Sequence, residues 1–224
     1  MTRKELAATI DHTLLKPEAT PAMIDRLCAE ALEHGFIAVC VNPVWVARCR
    51  ARLAGAPTLI ASVAGFPLGA SATAIKVDES RRAIDDGATE IDMVIRIGEL
   101  IAGETAAVRD DIAAVAQAVH AASPQHVLKV ILETAALTTE QIIAGCRCVA
   151  EAQADFVKTS TGFHPAGGAT VEAVRLLHRH SAPIKVKAAG GIRDLTTAKA
   201  MLEAGASRLG CSAGVSILGE LDRA

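Results

Sequence analysis

Tyrosine is absent from this chain of 224 residues, and aromatic rings come from only four phenylalanines and one tryptophan. The core must therefore be aliphatic, and any chemistry must proceed without a phenolic hydroxyl. Cysteine is sparse, with six in the whole chain, which speaks against the cysteine-dense scaffold of small secreted domains. Cys28, Cys40, Cys49, Cys146, Cys148 and Cys211 read as reduced thiols. The one close pair, Cys146 and Cys148, lacks the spacing of a zinc site. No apolar run approaches the roughly 18 residues of a spanning helix. Charge of one sign is missing too: the formal net charge is −2, which offers no basic surface for nucleic acid. The segment from Met1 to Lys16 carries charges throughout and has no apolar signal-peptide core, so a cytoplasmic protein is expected. No His-Glu-x-x-His pattern occurs, and His178 and His180 read as the solvated end of a helix, so no metal is expected. What the chain has is apolar content of 51%, too high for disorder.

Short β-branched runs alternate with longer Ala-rich amphipathic runs. The pattern predicts strands at Thr9–Thr13, Ile37–Val41, Leu59–Val63, Glu90–Ile95, Val127–Leu132, Phe156–Thr159, Ile184–Ala188 and Arg208–Cys211. Between them it predicts helices at Pro21–His34, Pro43–Ala54, Ser71–Asp86, Glu104–Ala122, Thr138–Gln153, Thr170–His180 and Thr196–Glu203. Thr20 is a good N-cap for the first of these, and Gly87 a good C-cap for the third. Dividing 224 residues among eight strand-then-helix units gives about 28 each, enough for a short strand, a three-turn helix and two loops. No Pro/Gly/Ser-rich linker interrupts the series. Strict alternation implies a parallel sheet, and eight units favour its closure into a single (β/α)₈ TIM barrel spanning residues 1–224. The alternative is an open doubly wound sheet, but its Gly-x-Gly-x-x-Gly fingerprint is absent after the first strand.

Residues two apart along a strand share a face, and in a barrel one face is the interior. Charged residues fall on such faces. Glu90 and Asp92 pair on the fourth strand, Lys129 with Glu133 on the fifth, Phe156 with Lys158 on the sixth, and Lys185 with Lys187 on the seventh. Lys129 and Lys185 sit early in their strands and read as exposed strand ends or simple ion pairs that serve stability. Lys158 and Lys187 sit late, at the end of the barrel where such enzymes place their chemistry. A charge there is costly unless paired, and Asp92 is a candidate partner. A lysine near its ordinary pKa of 10.4 is protonated at neutral pH and cannot attack a carbonyl. A lowering of about 3, roughly 4 kcal/mol, would leave a large free-amine fraction. A neighbouring cation and burial are the means of achieving it, so Lys158, Lys187 and Asp92 together point to imine chemistry.

Two glycine-bearing loops follow the last two strands: Lys187-Ala188-Ala189-Gly190-Gly191-Ile192-Arg193 and Gly210-Cys211-Ser212. A Gly-Gly pair alone can be a simple turn. Two such loops at these places match the common phosphate site of barrel enzymes, where backbone N–H groups approach an anion closely.

With these residues placed, the sequence resembles the deoxyribose-phosphate aldolase family nearly end to end. The resemblance rests on Asp11-His12-Thr13, Val39-Cys40-Val41-Asn42-Pro43, Glu90-Ile91-Asp92-Met93-Val94, the run from Phe156 through Lys158-Thr159-Ser160-Thr161-Gly162 to Phe163, and the two glycine loops. It implies a class I aldolase that needs neither metal nor cofactor and reversibly cleaves 2-deoxy-D-ribose 5-phosphate to D-glyceraldehyde 3-phosphate and acetaldehyde. By the same resemblance, Lys158 is the Schiff-base nucleophile, Lys187 the lysine that lowers its pKa, and Asp92 the acid/base residue. Asp11, Thr13 and Thr161 would line the sugar, Cys40 would form a wall of the pocket, and Gly190, Gly191, Arg193, Gly210 and Ser212 would meet the phosphate. The partners implied are a sugar phosphate, aldehydes and further copies of the chain, as a homodimer or homotetramer.

Two departures stand out. Longer members of the family carry a lysine where Phe163 stands, and they end in a tyrosine tail, whereas this chain ends Glu220-Leu221-Asp222-Arg223-Ala224. Three other readings compete: an aldolase or transaldolase of longer keto-sugar phosphates, a non-catalytic sugar-phosphate-binding barrel, and a metal-dependent aldolase.

Overall fold

A computed structural model describes residues 1–223; Ala224 lies outside the described residues. Eight parallel strands close into one barrel in sequence order. They are β1 (Ile10–Leu14), β2 (Ala38–Val41), β3 (Leu59–Ala64), β4 (Glu90–Val94), β5 (Val127–Ile131), β6 (Phe156–Lys158), β7 (Lys185–Ala189) and β8 (Arg208–Cys211). Each strand expected from the sequence is present, displaced by no more than one or two residues at its ends.

The helices follow from their capping residues. A short α1 (Arg3–Ala7) precedes the barrel, held by a capping box between Thr2 and Glu5. α2 (Pro21–His34) starts where the Thr20 hydroxyl accepts from the Met23 N–H, with Pro21 in its first turn, and ends at Gly35 in the left-handed conformation. The expected helix at Pro43–Ala54 divides into a 3-10 turn (Pro43–Trp45) and α3 (Val46–Arg52). α4 (Thr73–Asp86) begins two residues later than expected, because Ser71 does not cap it, and ends at Gly87. α5 (Ile97–Ile101) is a short extra turn before α6 (Thr105–Ala122). α7 (Thr139–Glu151) opens with a Thr138–Gln141 capping box, α8 (Val171–Ser181) with Thr170, and α9 (Leu195–Glu203) with Asp194. α10 (Gly214–Leu221) completes the eighth unit. Its start carries no side-chain cap and a glycine, which is why the sequence pattern gave no signal there.

The helices cover the outward faces of the strands. Ile10, Val39, Ile60, Ile91, Met93, Val130, Val157, Val186 and Leu209 pack with the helix stripes into one apolar layer, almost wholly aliphatic apart from Phe36. Each such side chain fully buried contributes about 1.5–3 kcal/mol. None of the described helices is long and apolar enough to cross a membrane.

The inward faces are of two kinds. Cys40, Ala61 and Val63, with Leu15, form a small apolar cluster on the β2–β3 side. The remaining inward face carries charged side chains together with buried Phe156, whose ring centroid lies 5.6 Å from the Arg208 guanidinium carbon. Register brings Asp92 beside Lys129, Lys158 beside Lys187, and Lys187 beside Arg208. Asp222 pairs with Arg3 near the start of the chain, and Glu220 accepts from the Leu195 N–H at the start of α9.

Candidate active site

Asp92 is the hub of the charged lumen. One carboxylate oxygen, Oδ2, accepts from both Lys158 Nζ and Lys187 Nζ at 2.7 Å; the other, Oδ1, accepts from Lys129 Nζ at 3.0 Å. All four residues are buried. Burial alone would raise the Asp92 pKa, but the three ammonium groups outweigh it and hold the carboxyl well below the usual carboxylate range. Asp92 is therefore an anion in the resting site.

The pKa values of the two lysines that flank it are shifted in opposite directions. Burial lowers the pKa of Lys158; Asp92 opposes that, and the nearby Lys187 cation adds to it. Lys187 suffers the same burial, yet its pairing with Asp11 and Asp92 raises its pKa. Opposed shifts in a pair of adjacent groups are the usual mark of divided acid and base roles.

Lys158 ends β6 and faces a cavity of about 330 Å³, within the range of ligand sites. Thr13, Thr161, Gly190, Gly191, Arg193, Gly210 and Ser212 line it. Gly210 is closely packed: a Cβ there would lie 3.0 Å from Lys187 Cε and 3.1 Å from Ala189 Cβ. Gly190 has φ of 91°, a conformation that favours glycine. Two assigned residues stand elsewhere. Asp11 is fully buried and is not part of the cavity lining; its carboxylate accepts from Lys187 and, at 2.6 Å, from Arg208. Cys40 also lies behind the cavity wall, and burial, reinforced by Asp92, pushes its thiol up to about 11.

A match to the family model of DeoC/LacD family aldolases extends over residues 6–220, nearly the whole barrel. The chain belongs to this aldolase family. It is 55% identical over 210 residues to the deoxyribose-phosphate aldolase of Brevibacillus brevis, covering 93% of each chain. It is 51% identical over 221 residues to that of Thermococcus kodakarensis, covering 97% of each. Among solved structures, the tetrameric deoxyribose phosphate aldolase of Aeropyrum pernix superposes with a TM-score of 0.91 at 30% identity, over 99% of this chain and 92% of that one.

In this aldolase the two lysines set aside as strand ends or simple pairs differ from each other. Lys185 is exposed at the start of β7, its ammonium 5.7 Å from the Phe156 ring centroid. Lys129 is neither exposed nor in a simple pair. It is fully buried and contacts three carboxylates: Glu90, Asp92 and, at 3.6 Å, Asp11. The parity rule placed it on the inner face correctly. Its partners come from β1 and β4, and such cross-barrel contacts have no signature within one strand. Lys16, just past β1, also lines the cavity, and no local pattern marked it.

Phe163 stands on the cavity rim, half-exposed, packed edge-on against Phe66 with ring centroids 5.3 Å apart. The turn that carries it is fastened by Glu133. That residue has a left-handed backbone (φ 61°, ψ 58°) and a buried carboxylate that accepts from the Thr161 N–H at 3.2 Å and from the Thr161 hydroxyl. The same hydroxyl accepts from the Phe163 N–H at 3.1 Å. Replacing Glu133 by alanine leaves both Thr161 donors unpaired. The expected result is a rise in KM of about tenfold with a smaller change in kcat, with Glu133→Gln intermediate because it keeps one acceptor oxygen. Steady-state kinetics of the two variants check this.

Proposed function

We propose that this aldolase reversibly cleaves 2-deoxy-D-ribose 5-phosphate to D-glyceraldehyde 3-phosphate and acetaldehyde through a Schiff base on Lys158, as one catalytic domain spanning the chain. The observation that carries the reading is Lys158 itself: a buried lysine with a lowered pKa at the floor of a glycine-lined cavity. The relatives named for deoxyribose phosphate supply the substrate class.

In the cleavage direction the neutral Lys158 amine attacks the C1 aldehyde to give a carbinolamine, which takes up one proton from solvent and loses water, leaving an iminium. That cation accepts the electron pair of the C2–C3 bond. As the bond breaks, the C3 hydroxyl loses its proton and becomes the new aldehyde, and C2 is held as an enamine. A proton delivered to C2 regenerates the iminium, and water releases acetaldehyde. Asp92 alone is a weak base in its ring of ammonium groups. We therefore assign both proton transfers to Asp92, the Lys187 ammonium and water acting together. No tyrosine is needed.

Phosphate is held by the Gly190–Gly191 and Gly210–Ser212 backbone, with Arg193 and Lys16 as the cations at the cavity mouth. Phe163 supplies no charge there, so the discrimination between phosphorylated and free sugar is weaker than a lysine would give. The physiological place is the breakdown of deoxyribose phosphate, in the cytoplasm, in a homodimer or homotetramer.

The test is borohydride reduction in the presence of acetaldehyde, followed by peptide mapping. A 28 Da ethyl adduct is expected on the peptide containing Lys158, since reduction of an acetaldehyde imine adds about that mass to one amine. An adduct on another lysine, or none, overturns the imine step. A donor screen run alongside separates the keto-sugar aldolases: transfer from dihydroxyacetone or keto sugars without acetaldehyde incorporation removes the substrate assignment. Activity lost in excess chelator would favour the metal-dependent route.

A further inference from the structure

Seven ionisable side chains meet inside the barrel, and their charges do not cancel. Asp11, Glu90 and Asp92 supply three negative charges; Lys129, Lys158, Lys187 and Arg208 supply four positive ones. The contacts show which cation is in excess. Lys187 binds Asp11 and Asp92. Arg208 bridges Asp11 at 2.6 Å and Glu90 at 3.1 Å. Lys129 reaches all three carboxylates. Lys158 has only Asp92 Oδ2, an oxygen it shares with Lys187. Three cations thus match three carboxylates, and Lys158 is left over.

A net charge in a buried site of low dielectric is expensive, so the network is most stable when one proton leaves. We infer that the layer beneath the reaction site, Glu90 with Lys129 and Arg208, sets the charge of the lumen and thereby selects Lys158 as the lysine that stays neutral. None of these three lines the cavity, so each is a positioning residue that acts through Lys158. The groups that face Lys158 are Asp92 from β4, Lys187 from β7 and Cys40 from β2. One layer down lie Asp11 from β1, Glu90 from β4, Lys129 from β5 and Arg208 from β8. Glu133, past the end of β5, is spent on Thr161. The inference rests on the Schiff-base reading and extends it from the Lys158–Lys187 pair to the whole lumen.

The sign follows from charge count. Removing the Lys129 cation leaves one carboxylate unmatched, and Lys158 then becomes the balancing cation and holds its proton to higher pH. Removing the Glu90 charge as well restores the balance, because the two leave as a pair. A purely structural role predicts the reverse order: the double variant would be at least as damaged as the single.

The experiment compares wild type, Lys129→Met, Glu90→Gln and Lys129→Met/Glu90→Gln. It measures kcat/KM for 2-deoxy-D-ribose 5-phosphate against pH, with the borohydride–acetaldehyde adduct mapped in each and circular dichroism as the check of fold. The acid limb is expected to move up by about one pH unit or more in Lys129→Met and to return to near the wild-type position in the double variant. For Glu90→Gln alone it is expected to move down. An acid limb that stays put in folded Lys129→Met, or that the double variant fails to restore, overturns the inference. If Lys129→Met does not fold, Arg208→Met and Arg208→Met/Glu90→Gln give the same contrast with the same deciding outcomes. An adduct that maps away from Lys158 in wild type would instead refute the Schiff-base reading, so the two failures are distinguishable.

Discussion

Lys158→Ala is expected to lose at least about 10⁴-fold in turnover, because the covalent route has no second nucleophile. Lys187 is the nearest other lysine, but it is fully buried, held by two carboxylates, and has a raised pKa. It cannot present a free amine to an aldehyde in the cavity. Cys40 is buried with its thiol pushed up to about 11, so it offers no thiolate either. The borohydride adduct should vanish in parallel with turnover. The fold should survive. Lys158 is the lysine left over once the other charges in the lumen are paired, so deleting it leaves three cations against three carboxylates. A thermal melt that is unchanged or raised, beside abolished activity, is the expected pair of results. A large drop in melting temperature would show that Lys158 is needed for stability and that the charge count is misread.

The barrel was legible because its signal is local. Each strand is a short β-branched run, and most helices announce themselves with a capping residue such as Thr20, Thr138 or Asp194. α10 escaped because it starts at Gly214 without a cap. The period of two also placed Glu90, Asp92, Lys158 and Lys187 on the inner face, which is a statement about one strand at a time. What it could not give is which strands face each other across the lumen. Asp11 illustrates the point. Taken by motif it belongs to the sugar pocket; in the barrel its carboxylate lies beneath, between Lys187 and Arg208. Lys129 is the same case: its position early in β5 suggested a stabilising role, but only closure of the barrel brings Asp11 and Glu90 to it. Glu133 carries its information in a left-handed backbone and a bond to Thr161 in the loop after β6, neither of which a strand pattern encodes.

Lys187→Leu is expected to reduce turnover by about 10²- to 10⁴-fold, less than loss of the nucleophile, because imine formation is impaired and not abolished. Two effects act on Lys158 and both have the same sign. The variant removes the adjacent cation that helps lower the Lys158 pKa, and it leaves three carboxylates facing only Lys129 and Arg208 as fixed cations. Lys158 then keeps its proton to higher pH, so the residual rate should climb toward alkaline pH with its acid limb moved upward. The variant also removes the proton donor beside Asp92, so protonation of the enamine carbon should slow at every pH. A kcat that recovers fully at high pH would confine Lys187 to the pKa effect; an unmoved pH profile would remove it from that role. Stability supplies a second contrast. Asp11 and Asp92 each lose one of their buried ion-pair partners, so this variant should melt at lower temperature. Asp11 and Asp92 have pKa values held below the ordinary range by these cations. With Lys187 gone those values rise, and the stability deficit should shrink as the pH falls and the carboxyls take up protons. Lys158→Ala and Lys187→Leu should therefore both be inactive at neutral pH yet part company in a thermal melt. In that comparison, Lys158 behaves as a group whose loss the fold tolerates, and Lys187 as a charge that the fold requires.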